Sequence, residues 1–142
     1  AAEIFKAGGE NVRMFLSAAK ELIAKQNYKM AAFMLHQVVE HTLRPAILSI
    51  LDQKKQTHNL LVLTMLSRLF LPESVAALKL DQEEHRSLFE LLNNAYVEAR
   101  YKSDYDISEK SVNELLVMIE EFRANVVHEY YAYLGTYNED IL

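Results

Sequence analysis

Residues Tyr96 to Ile107 read YVEARYKSDYDI and set one arginine, Arg100, among three tyrosines, Tyr96, Tyr101 and Tyr105. A guanidinium offers a planar fork of donors that matches phosphate or carboxylate, and a tyrosine face can stack on a base. The block therefore has the chemistry of a phosphate or nucleobase site. Arg100 would take the phosphate, Tyr101 and Tyr105 would contact base or ribose, and Lys102 would supply a second cation. The competing reading is that Arg100 caps a helix C-terminus and stacks on a neighbouring tyrosine. His58 follows Thr57 at a predicted helix start, where backbone donors and the helix dipole favour an anion. Alternatively, Thr57, His58 and Asn59 simply cap that helix.

His36 and Glu40 stand one helical turn apart, a spacing also used by metal ligands. His41 does not share their face and no third ligand is evident, so no metal is expected. A buried polar trio of His36, Gln37 and Glu40 is the preferred reading. Tyr130, Tyr131, Tyr133 and Tyr137 make an aromatic C-terminal patch suited to packing or to an interface. Asp81 to Glu84 is ordinary helix-start charge. The sequence holds no glycine-rich phosphate loop, Ser/His/Asp signature or zinc motif.

These residues must be positioned by helices. The chain of 142 residues is 51% hydrophobic and 25% charged, with three glycines and two prolines. That profile is globular, and the scarcity of breakers beside abundant Ala, Leu, Glu and Lys favours helix. Apolar spacing predicts helices over 11–26, 28–52 (with Pro45 as a kink), 59–70, 74–80 and about 81–100. A last long helix begins at Ser108 and is striped by Val112, Leu115, Leu116, Ile119, Phe122 and Val126. Gly8-Gly9 is expected to end a short leader, Thr57 to cap the third helix, and Asp81 with Glu84 to form a capping-box start. The tail from Gly135 is expected to be loose. The fold class is all-α: an up-and-down helical bundle of four to five main helices.

Cysteine is absent, which removes disulfides and thiolate metal sites. With no visible signal peptide and no apolar run long enough for a bilayer, the expectation is a cytoplasmic protein without a membrane partner. A net charge of −5 gives no general attraction to nucleic acid, so any polyanion site must be local.

Three blocks then fall into a familiar order. The helix Ala31 to Leu43 resembles the A-x-x-x-x-Q-x-x-E-x-x-L helix of HEPN domains, with Gln37 and Glu40 at its polar positions. Thr57-His58-Asn59-Leu60 resembles their T-H-D/N-L element, and Asn93 to Ile107 their L-N-x-x-Y-x-x-A-R-Y-P-x-x-Y segment. Lys102 stands where that segment has proline. The likeness covers roughly residues 10 to 130. It implies a bundle that commonly dimerises, is often fused to or encoded beside a minimal nucleotidyltransferase, and in this subgroup binds nucleotides or other anions. Gln37 and Glu40 would then contribute to the ligand cleft or its hydrogen bonds. The expected arrangement is one domain over 1–142 with its core at about 10–134. Because the chain opens Ala1-Ala2-Glu3 without a methionine, it is expected to be cut from a longer nucleotidyltransferase fusion.

Many HEPN proteins are also metal-independent ribonucleases with an Arg-x4–6-His motif, the histidine as acid/base and the arginine on the phosphate. After Arg100 that slot holds Tyr105, a poor base at neutral pH. A second spelling, Arg-x4-His-x-Tyr, occurs at Arg123, His128 and Tyr130. It lies inside the last predicted helix, where five residues turn the side chains apart by about 140°. The expectation is a non-enzymatic domain that dimerises and binds a nucleotide such as ATP as ligand, beside a nucleotidyltransferase partner. The alternatives are a ribonuclease toxin acting on RNA and a purely structural dimerisation module.

Overall fold

The computed structural model describes residues 2–102 and 105–135. Among these the chain is all helix and loop: α1 (Ala2–Ala24), α2 (Tyr28–Leu51), α3 (Leu60–Ser67), α4 (Pro72–Ala76), α5 (Glu83–Tyr101) and α6 (Glu109–Leu134). The expected helical bundle is therefore present, with α3 and α4 as short elements beside four long ones. Tyr137 and the polar tail expected after Gly135 lie outside the described residues, as do Ser103 and Asp104. Among the described residues no helix is long and apolar enough to cross a membrane.

The organising element is α2, which packs against α1, α3, α5 and α6. Its start is fixed by Asn27, whose side chain accepts from the Met30 backbone N–H at 3.3 Å. Ala31, Leu35, Val39, Leu43 and Ile47 are fully enclosed, and each buried Leu, Val or Ile stabilises the fold by roughly 1.5–3 kcal/mol. Neighbours on several sides explain why polar positions of this helix, His36, Gln37 and Glu40, are buried too.

The glycine pair does not end a leader: α1 runs straight through Gly8 and Gly9. The reason is the crossing with α2. Pro45, inside α2, cannot donate to the carbonyl four residues back, which is that of His41. A Cβ built on Gly8 would lie 2.9 Å from Pro45 Cγ and 3.1 Å from the His41 oxygen. Glycine lets the two backbones approach where the proline has freed a carbonyl. Packing here outweighs the weak helix propensity of glycine.

Two other starts also differ from expectation. The N-cap of α3 is Asn59, whose Oδ1 accepts from Leu61 N–H at 3.0 Å, while Thr57 Oγ1 holds the Asn59 N–H at 3.1 Å. Helix α5 begins after Gln82 with no side-chain cap, so Asp81 and Glu84 form no capping box. Ser108 caps α6 as expected, accepting from Ser111 N–H at 3.0 Å. At the far end of α6, Glu129 accepts from the Glu73 and Ser74 N–H groups at 3.0 and 2.7 Å and so ties α4 down.

Candidate functional site

Two helices present matched stripes to each other. On α2 the stripe is Phe33, His36, Gln37 and Glu40; on α5 it is Asn93, Tyr96 and Arg100, the i, i+3 and i+7 spacing of one helical face. Asn93 fastens the loop before α3 to this seam. Its Oδ1 accepts from Leu60 N–H at 2.7 Å and its amide donates to Asn59 Oδ1 at 3.1 Å. His58 is thereby set down on Tyr96.

The centre of the site is a histidine pair around a buried carboxylate. Glu40 is 2% exposed. Its Oε1 accepts from His58 Nδ1 at 2.6 Å and its Oε2 from Arg44 at 3.0 Å, with His41 Nε2 at 3.8 Å. Since a carboxylate only accepts, His58 carries its proton on Nδ1. Beneath it His36 donates from Nε2 to the His58 carbonyl at 2.9 Å and accepts from the Gln37 amide at Nδ1, 3.2 Å. Both nitrogens of His36 are engaged as those of a neutral ring. Burial pushes its pKa from 6.5 down to about 4, against smaller raising effects of the His58 carbonyl and Glu40. His36 and Glu40 therefore act as hydrogen-bonding supports within the seam.

The outer layer is aromatic and cationic. His58 and Tyr96 stack with centroids 3.9 Å apart and planes 13° from parallel. The Tyr96 hydroxyl is 2.9 Å from His58 Nε2, but near-parallel rings set it over the imidazole face rather than along the in-plane lone pair, so the contact is stacking. Arg100 lies 4.3 Å from the Tyr96 centroid, 4.8 Å from Phe33 and 4.9 Å from Tyr101. Its Nε donates to the Tyr96 carbonyl at 2.8 Å. The capping and stacking expected of a structural arginine are thus both present. They use Nε and the guanidinium face; no carboxylate pairs with Arg100 among the described residues, and its terminal nitrogens stay at the exposed end of the seam.

Tyr101 is 73% exposed beside Arg100, with its ring free to stack. Lys102 is exposed but already paired with Glu98 at 3.2 Å. Gln37 and Glu40 sit under the site and can act on a ligand only through His36 and His58. Tyr105 is a correction. It is turned into the core at 6% exposure, its hydroxyl donates to the Leu91 carbonyl at 3.2 Å, and burial raises its pKa to about 12. It anchors the segment after α5 and does not face a ligand. His36 is buried with Gln37 and Glu40 as expected, whereas sequence reasoning missed Phe33, Asn93 and Arg44 as parts of the same constellation. Of these last three, Asn93 alone carried a signal, its place in the Asn93–Ile107 block.

The Arg-x4-His spelling does not assemble within the chain. Helix α6 is continuous from Glu109 to Leu134. Arg123 turns toward α1, its guanidinium 5.1 Å from the Phe5 centroid, and burial, aided by Arg13, lowers its pKa to about 10. His128 is exposed on another face. Tyr130 is fully buried, stacked on Phe5 at 4.0 Å and bonded to Ser49 Oγ at 2.7 Å. A groove of about 1180 Å³ lies elsewhere, between the start of α5 and α6. Glu83, Glu84, Glu114 and Glu121 line it, so it is unsuited to an anion.

A continuous all-α seam joining the Gln37/Glu40 helix, the Thr57–Leu60 turn and the Tyr96–Arg100 segment is the arrangement of a HEPN domain. The family model of the HEPN domain matches residues 10–130. The chain belongs to that family. Comparison with curated proteins gives no match.

Proposed function

We propose that this HEPN domain binds a nucleotide or a similar anionic ligand at the exposed end of the α2–α5 seam. Arg100 takes the phosphate, Tyr101 and the His58–Tyr96 stack receive the base or ribose, and Lys102 assists once it leaves Glu98. The observation that carries the reading is the geometry of Arg100. Its guanidinium carbon lies 4.3 to 4.9 Å from the centroids of three aromatic rings, with Nε bound to the Tyr96 carbonyl and no carboxylate paired with it among the described residues. A fork held this way loses little side-chain entropy on meeting phosphate. The domain would act as a homodimer and hold substrate for an attached or neighbouring nucleotidyltransferase. An exposed stripe at a spacing of four, Leu61, Met65 and Leu69, offers a surface for the second copy.

Calorimetric titration with ATP, GTP and CTP, on the domain and on Arg100→Ala, tests the proposal. Saturable binding that weakens at least about tenfold in the variant is the expected result. A folded protein giving no heat with any of the three overturns it and leaves the structural dimerisation module. The ribonuclease reading at Arg123, His128 and Tyr130 gains no support from the geometry of α6.

A further inference from the structure

Glu40 has a second side. Beyond Arg44 and His41, which meet its Oε2, the α1–α2 crossing and the loop after α2 border an open pocket of about 290 Å³. Its wall carries His41, Arg44, Lys54 and Lys55 on an apolar bed of Ile4, Pro45 and Leu48. In a chain of net charge −5 such a convergence of cations is not background. Lys55 is half-buried, and neither it nor Lys54 has a partner among the described residues. No carboxylate is among the lining residues, and Glu40, which pairs with Arg44, is already shared with His58. An unpaired lysine beside an arginine raises the local potential for an anion, and the volume lies near the lower end of those of small-molecule sites.

We propose that this pocket is a second anion site, taking the phosphate or pyrophosphate group of a small molecule on Arg44, Lys54 and Lys55. Ile4, Pro45 and Leu48 would meet the uncharged part of that ligand. The site stands on the other side of Glu40 from Arg100 and does not depend on a nucleotide binding there.

The test uses inorganic pyrophosphate as probe and the Arg100→Ala protein as background, so that binding at the α2–α5 seam cannot supply the signal. Saturable binding by calorimetry is expected, with the His41 ring resonances shifting along the titration. Adding Lys54→Glu and Lys55→Glu should weaken binding at least about tenfold while the thermal midpoint stays near that of the background. Adding Lys25→Glu, a charge reversal at the end of α1, should leave it within about twofold. The proposal is overturned if the background protein does not bind pyrophosphate. It is equally overturned if the double substitution has no effect, or if Lys25→Glu weakens binding as much. Failure of nucleotide binding at Arg100 would leave each of these outcomes readable.

Discussion

His36 is enclosed as a neutral ring, and that makes stability depend on pH. Its pKa is about 4 in the folded chain and 6.5 ordinarily. As pH falls below 6.5 the unfolded chain takes up the proton first, so stability is full above that value and declines until about pH 4. The whole loss is roughly 3 kcal/mol. Burial lowers the pKa of His41 also, which adds loss of the same sign. The fall in urea midpoint between pH 7 and pH 5 should therefore shrink clearly in His36→Gln; an unchanged fall would contradict the assignment. Glu40 is the second residue on which the site rests. Glu40→Ala strands Arg44 and frees His58 from its orienting acceptor, and an expected loss of about 3–5 kcal/mol can be read from chemical denaturation.

At the scale of the element, α1 and α6 separate what propensity predicts from what packing decides. Gly8→Ala would stabilise an isolated helix by roughly 1 kcal/mol. Here its methyl meets Pro45 and the His41 carbonyl, so the expected result is a destabilisation of about 1–3 kcal/mol. Gly9→Ala meets only the movable ends of Arg123, at 3.1 Å, and Arg13, at 3.6 Å, and should be near neutral or stabilising. Thermal melts of the two variants, moving in different directions, check this. On α6, Arg123 buries an Nη1 with no hydrogen-bond partner among the described residues. Arg123→Met should hold or raise the melting temperature by a few degrees, whereas a fall would mean that the guanidinium stabilises the fold.

These elements also mark what the sequence could tell. The long helices were legible because their apolar spacing reflects one-sided burial, and Ser108 was legible because a cap is local chemistry. The Gly8-Gly9 pair was misread because the reason for it is Pro45, remote in sequence and adjacent only after folding. Arg100 and His58 stood out by residue type and block order. Their meeting depends on Asn93 holding the loop before α3 to α5, a contact across 34 residues. Tyr105 was misassigned because a tyrosine near an arginine reads the same whether it faces a ligand or, as here, the Leu91 carbonyl.

The whole molecule combines the α2–α5 seam, an exposed apolar stripe and an acidic groove elsewhere. Met65 and Leu69 are 68% and 71% exposed. If they lie at the interface of two copies, Met65→Glu with Leu69→Glu should give a monomer by sedimentation velocity without lowering the thermal midpoint of the fold. A wild-type protein that is already monomeric would remove the dimer from the account. The charge of the large α5–α6 groove also predicts that anions avoid it. The most direct test of the central claim is therefore to locate ligand binding on the folded domain. In a titration with ATP followed by amide and ring NMR signals, the shifts should concentrate at Phe33, His58, Tyr96, Arg100 and Tyr101. Shifts centred on the groove between α5 and α6, or none at saturating nucleotide, would contradict it.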